Sequence, residues 1–246
     1  MGKPIIPKER PHMSYADSRK IVEAKGCGNE PVVVLGIRGL YSNSMGVVGV
    51  NDRGLYDDGG FITTPEAGAE WETRGVVPAG FPKSGIVGQR VYGAFNFNTD
   101  PSGYRNGEGF GERKGMAVLD PGLYYAHIVD LHKGDVRREA LCQRVGPVDV
   151  HRDGVNGGYA QRSAYIGANI HDGGMESTWS ECCQTVPKFQ FPEFMTIIKG
   201  VLRKTYGFED FYHTEVGSSG VAKRVYLRLC VPYLLIDEKE RREICR

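Results

Sequence analysis

The chain has 246 residues, 31 Lys plus Arg against 30 Asp plus Glu, and 34 glycines. Near-neutral charge with no basic block or basic–aromatic stripe gives nucleic-acid binding no support, and no run approaches the roughly 18 apolar residues of a membrane span. Glycine at about twice its usual share, scattered rather than periodic, excludes collagen-like and low-complexity chains and punctuates short strands instead.

Residues 1–10 are rich in Pro and Lys and lack the pattern of a secretory signal, so cytoplasmic synthesis is expected. Ser14 to Lys25 reads as a short helix, with Ser14 and Asp17 in capping-box spacing and Gly26 as a stop. Pro31 to Ile37 is a continuous apolar run and predicts a buried strand. Asn51–Gly54 and Asp57–Gly60 predict turns, and residues 65–89, broken by Pro65, Pro78 and Pro82, an irregular excursion. Strands are expected at Arg90–Asn98, Met116–Leu119, Leu123–Leu131, Arg138–Val145 and Val148–Arg152, with a polar loop at 103–114 and a turn at 153–158.

Tyr165 to His171 predicts a further strand. Pro192 to Tyr206 has Phe194, Ile197, Ile198, Val201 and Leu202 on one helical face, Pro192 in the first turn and Gly207 after its end. Arg224 to Asp237 reads as the last strand, with a bulge or edge at Pro232. The mixed charges of Asp237–Glu243 predict a solvated tail. The sum is a β-rich α+β chain with few helices: an N-terminal extension over 1–30, a single domain over 31–237, and a charged tail over 238–246.

The six cysteines, Cys27, Cys142, Cys182, Cys183, Cys230 and Cys245, have no zinc-ligand spacing and do not form a disulfide framework. Cys142 and Cys230 lie in apolar runs and read as buried thiols. His127, Asp130 and His132 invite a metal reading, but His127 and Asp130 face opposite sides of an extended strand. No metal or cofactor is expected.

The most informative stretch is Ile166 to Thr185. It places His171 at the end of an apolar run, then Gly173 and Gly174, then a polar loop ending in Ser180, Cys182, Cys183 and Thr185. A thiol is mostly protonated at neutral pH, so a cysteine nucleophile needs a base beside it. His171 and Cys183 are twelve residues apart, and the glycines allow a tight connection between them. Cys183 has the polar neighbours Glu181, Gln184 and Thr185 and reads as the nucleophile; Cys182 reads as a packing or redox residue. Ser180 either holds the turn or bonds substrate. Tyr165, Trp179 and Arg105 either line a groove or belong to the core.

This stretch resembles the catalytic signature of the L,D-transpeptidase family, in which a His precedes a Ser-x-Gly-Cys element and the Cys is the nucleophile. Ser180, Glu181, Cys182 and Cys183 align with that element, and Lys114 to Tyr125 is similar to the family's Pro-x-Gly-x-Tyr strand entry. Asn51–Asp58, Asn96–Pro101 and Val231–Asp237 look like segments of proteins carried by tailed phages and prophages. The resemblance implies a β-sandwich or barrel and thioester chemistry on peptidoglycan stem peptides, at the cell wall or from a phage particle. It also implies that a main-chain carbonyl at Asp172 or Gly173 orients His171, and that the N–H groups of Cys182 and Cys183 stabilise the oxyanion. Gly174, Ser180 and Thr185 would then face substrate. Cys182 stands where the family has Gly, Thr185 where many members have Arg or Asn, and the His-to-Cys loop is short. These departures sustain an alternative, a virion or tail component whose site has decayed and whose partners are other phage structural proteins.

Overall fold

The apolar run at Pro31–Ile37 forms β1 (Val33–Arg38), and it is apolar throughout because both of its faces are covered. Val32 and Val34 enter one core, while Val33, Leu35 and Ile37 enter a second. β13 (Val231–Asp237), its parallel neighbour, divides the same way: Val231, Tyr233 and Leu235 on one side, Leu234 and Ile236 on the other. The structure, a computed structural model, describes residues 5–45, 48–49, 52–65, 93–101, 115–134, 138–153, 158–218 and 220–246. All but the first residue of the excursion expected over 65–89, the loop over 103–114 and most of the turn over 153–158 lie outside the described residues.

The main sheet also contains β2 (Asp58–Thr63), β3 (Gly93–Phe97), β5 (Gly122–Leu131), β6 (Glu139–Gln143), β9 (Ile170–Gly173) and β10 (Gln184–Pro187). Its strand order is β10–β9–β6–β5–β13–β1–β2–β3. Among the described residues, only β1–β13 and β9–β10 of this sheet pair in parallel. Just beyond β3, Asn98 exchanges two 2.9 Å main-chain hydrogen bonds with Thr185 of β10. That seam brings the two edges together, so the sheet is nearly a closed barrel. A separate three-stranded sheet holds β4 (Ala117–Leu119), β7 (Val148–Arg152) and β8 (Tyr159–Ala164), and β11 (Tyr212–Val216) pairs with β12 (Ala222–Tyr226) as a hairpin.

Three α-helices are described. In α1 (Tyr15–Ala24) the Ser14 hydroxyl accepts the Asp17 N–H at 3.0 Å, and Gly26 leaves the helix at φ 76°. α2 (Phe191–Tyr206) buries its apolar face in the first core, where Phe194 meets Phe95 and Phe97 edge-on, and ends at left-handed Gly207. The expected C-terminal tail is instead mostly helical. α3 (Glu238–Ile244) is stapled by Arg241 and Arg242 on Glu238 and joins α1 through Lys25 and Glu240.

Several other expectations need correction. Asp58-Gly59-Gly60 opens β2 rather than turning, because the glycines make room for neighbouring side chains: a Cβ on Gly60 would overlap the Phe97 ring, and one on Gly59 would meet Leu40. Val148–Arg152 belongs to the smaller sheet. The strand expected from Tyr165 starts only at Ile170, since Gly167 adopts φ 73° and interrupts the extended chain. The predicted last strand is two, β12 and β13, and the register of β13 against β5 shifts between Val231 and Tyr233, at the expected Pro232 irregularity.

Candidate active site

Parallel pairing of β9 with β10 sets Thr185 opposite His171 and brings the Cys182–Cys183 pair, just before β10, beside the end of the histidine strand. His171 and Cys183 consequently line one cleft of about 530 Å³, with Asp172, Gly173, Gly174, Trp179, Ser180 and Cys182 on the same walls. Lys133, Arg138, Arg144 and Arg152 add four cationic side chains to the lining, against the carboxylates of Asp172 and Glu181. Arg138 pairs with Asp172 at 2.8 Å and Arg144 with Asp130 at 2.6 Å.

The imidazole of His171 is oriented by its own chain. Its Nδ1 lies 2.7 Å from the main-chain oxygen of Asp172, and a carbonyl oxygen can only accept, so Nδ1 carries the proton and Nε2 is left as the basic nitrogen. Of the two carbonyls expected to orient the ring, it is that of Asp172. Its carboxylate is engaged by Arg138 and stands 4.0 Å from Nδ1. Burial, the largest influence, lowers the His171 pKa, while the Asp172 carbonyl opposes that shift.

Cys183 is partly buried, and its thiol donates to the Gly167 carbonyl at 3.3 Å. Burial raises its pKa; the Asn169 N–H and the Ser180 hydroxyl work in the opposite direction but are outweighed. A raised thiol and a lowered imidazole both favour the uncharged pair, so the resting site is thiol and neutral histidine rather than a pre-formed ion pair. Cys182 points into the first core and its thiol is pushed up by burial, which fits the packing role. Ser180 is buried at the cleft wall beside the Cys183 sulfur.

The two glycines after His171 are packing positions. A Cβ on Gly173 would overlap the Tyr56 hydroxyl and crowd Thr185, and one on Gly174 would press on the Ser177 carbonyl at 2.6 Å. The Tyr56 hydroxyl donates to the Gly174 carbonyl at 2.8 Å, tying the loop to the segment just before β2. Thr185 is corrected: it is fully buried, its main chain forms the barrel seam, and it is absent from the cleft lining, so it is not placed to meet substrate. Trp179, about half exposed, does line the cleft; Tyr165 is exposed elsewhere, and Arg105 lies outside the described residues.

Lys133, Arg138, Arg144, Arg152, Asn169 and His132 line the cleft without having been expected there, and His132 is the one against the imidazole. The His132 ring lies against that of His171, with centroids 4.3 Å apart and planes tilted by 33°. The Gln143 N–H donates to Asn169 Oδ1 at 2.9 Å, so the Asn169 amide nitrogen faces and donates to His132 Nδ1 at 3.2 Å. His132 is thereby held as the Nε2–H tautomer, and burial, reinforced by His171, lowers its pKa to about 4. It follows β5 in a short turn whose Lys133 adopts φ 54°, a left-handed conformation that costs a non-glycine residue energy. No spacing in the sequence links residues 132 and 171; only the β5–β6–β9 order does.

His127, Asp130 and His132 do not converge on a metal. His127 Nε2 donates to the Ala168 carbonyl at 2.7 Å, Asp130 accepts from Arg144, and His132 turns to Asn169. Among the described residues, the side chains close enough together to share a cation are Asp57, Asp58 and Asp100, none of which lines the cleft. Comparison of the chain with protein-family models, with curated proteins and with solved structures gives no match. Among the described residues, no helix is long and apolar enough to cross a membrane.

Proposed function

We propose that the protein is a cysteine acyltransferase or hydrolase of L,D-transpeptidase type, acting on peptidoglycan stem peptides through a thioester. The observation that carries this reading is the shared cleft of Cys183 and His171, with the imidazole proton fixed on the Asp172 carbonyl and Nε2 left basic. His171 Nε2 takes the thiol proton as the sulfur attacks the stem-peptide carbonyl, forming the S–C bond and a tetrahedral oxyanion. Main-chain N–H groups at Cys182 and Cys183 stabilise that oxyanion. Collapse breaks the C–N bond, and the imidazolium returns its proton to the departing amine. An amine or water then attacks the thioester and releases the sulfur. Because the pair rests uncharged, proton transfer accompanies attack instead of preceding it. The cationic lining suits the carboxylates of a stem peptide.

A second reading, a decayed structural component of a phage virion or tail, is favoured by the raised Cys183 pKa and by Cys182 where the resemblance expects glycine. Incubation with purified muropeptides and mass spectrometry of the products separates the two. The first expects Cys183→Ala to abolish product, a loss of at least about 10⁴-fold, and Cys182→Ala to retain it. Muropeptides left unchanged by the wild-type chain would support the structural component instead.

A further inference from the structure

The phage-like segments Asn51–Asp58 and Asn96–Pro101 play no part in the cleft chemistry, yet the fold brings their acidic residues together. One carboxylate oxygen each from Asp57, Asp58 and Asp100 falls within 4.8 Å of the others, and all three residues are buried. Oxygens on opposite sides of a calcium ion are roughly 4.6–5.2 Å apart, twice the usual ion–oxygen distance, so the separation is that of a shared ion.

Hydrogen bonding accounts for only part of this cluster. Asp58 is well supplied: Oδ1 accepts the Gly39 N–H at 2.6 Å, and Oδ2 accepts the Thr99 N–H and hydroxyl at 2.6 and 2.7 Å. Asp57 Oδ2 accepts the Asp52 N–H at 2.9 Å, but Asp57 Oδ1 is sealed from solvent with no hydrogen-bond partner. Asn98, 0 % exposed, presents the same signature from outside the acidic set. Its amide nitrogen donates to the carbonyls of Arg53 and Leu55, while its Oδ1 is buried without a partner. Continuing the antiparallel register of Asp58 with Phe97 sets Asn98 directly across from Asp57. Two residues facing each other across the strands thus each carry a buried oxygen without a partner, a cost of about 1–3 kcal/mol or more apiece that a positive ligand would offset.

Two guanidiniums act on the cluster. Arg38, bonded to Thr99 Oγ1 at 3.1 Å and to the Thr99 and Leu119 carbonyls, lies beside it, and Arg53, paired with Asp153, also acts on Asp100.

We infer that Asp57, Asp58 and Asp100, together with the Asn98 amide oxygen, form a binding site for one divalent cation of calcium's size. The donors are all oxygen, which selects a hard ion, and their burial leaves little room for the waters magnesium retains, which favours calcium. The site is structural: it joins the start of β2 to the chain leaving β3, and Asn98 carries the barrel seam to Thr185, two residues from Cys183. This inference stands whether or not the cleft is catalytic.

The test uses the full chain stripped with EDTA and follows thermal melting with calcium, with magnesium and with neither. Terbium luminescence sensitised by Tyr56, adjacent to Asp57, is the direct probe of occupancy. Calcium at a hundredfold excess over its Kd should raise Tm by about 5–10 °C, more than magnesium does. Terbium should light up and calcium should quench it. Asp57→Asn should melt in EDTA no lower than wild type, since it removes a repelling charge, yet it and Asp100→Asn should each lose at least about tenfold in terbium affinity. Identical melting with calcium and EDTA, no terbium signal, or a terbium signal untouched by both substitutions would overturn the site. In the first two cases the cluster is held by protons instead.

Discussion

The thiol–imidazole cleft and the acidic cluster beside the barrel seam both hold ionisable groups out of water, and burial drives them to different ends. In the cleft each group has its own escape into neutrality: Cys183 keeps its proton, and His171 and His132 shed theirs. Such a site stores no charge and acquires it only when chemistry begins. In the cluster the carboxylates are too close for independent escape, and burial with mutual repulsion lifts Asp57 to about 7. Arg38 and Arg53 both act on these acids, and what burial and repulsion leave over is met either by retained protons or by the inferred cation. The contrast teaches that buried groups set apart neutralise one by one, whereas buried acids set together titrate as a unit, which is what the inferred cation would replace.

The comparison is most sharply broken at His171. His171→Gln should cost about 10²–10⁴-fold in acylation of Cys183, measured by mass spectrometry of the acyl-enzyme. In the wild type, alkylation of Cys183 by iodoacetamide should stay slow near neutrality and climb only above the ordinary thiol range of about 8.5. Full reactivity at pH 6 would mean a charged pair at rest and would erase the difference between the two regions.

Acid titration probes the same self-neutralising behaviour in the barrel interior. His127 is fully buried and its pKa is lowered to about 4, chiefly by burial. A histidine lowered on folding stabilises the protein fully above its unfolded value of about 6.5, and that stability is lost as pH falls through about 4. His127→Gln keeps a donor for the Ala168 carbonyl but cannot titrate. The stability gap between wild type and variant, from urea unfolding, should shift by about 3 kcal/mol in the variant's favour between pH 7 and pH 4. A constant gap would show that the ring is reached by water.

The smallest effect concerns the strand that leads into the acidic cluster. Gly60→Ala should destabilise by about 1–3 kcal/mol, because the new methyl displaces the Phe97 ring from its place against Phe194. An unchanged urea midpoint would show that β2 has slack there, and would weaken the picture of a rigidly set pair of aspartates.

Much of this fold could be read from the residues, and the exceptions share a cause. α1 and α2 were legible through Ser14, Gly26, Pro192 and Gly207, and β1 and β5 through their apolar runs, because those signals are local. β10 was hidden because Gln184 and Thr185 are polar although fully buried. Gln184 is satisfied by the nearby Cys182 carbonyl and by the Tyr233 hydroxyl, a partner that only the assembled sheet supplies. β8 shows no alternation because most of Tyr159–Ala164 is exposed. Gly59 and Gly60 read as a turn because a sequence does not reveal which side chains will lie over them. At the candidate site, His171, Cys183 and the choice of a main-chain carbonyl as orienter were legible from one stretch. His132 and the meeting of Asp57, Asp58, Asn98 and Asp100 were not, since each depends on strands far apart in the chain.

The place of β13 has a consequence for how this chain can be made. It lies between β1 and β5, in parallel with a strand about two hundred residues earlier, so the sheet lacks its middle until residues 231–237 have left the ribosome. Until then β1 and β5 each present an open edge, and nascent chains depend on holding those edges apart from one another's. Synthesis is thus a stage at which open strand edges expose this protein to aggregation.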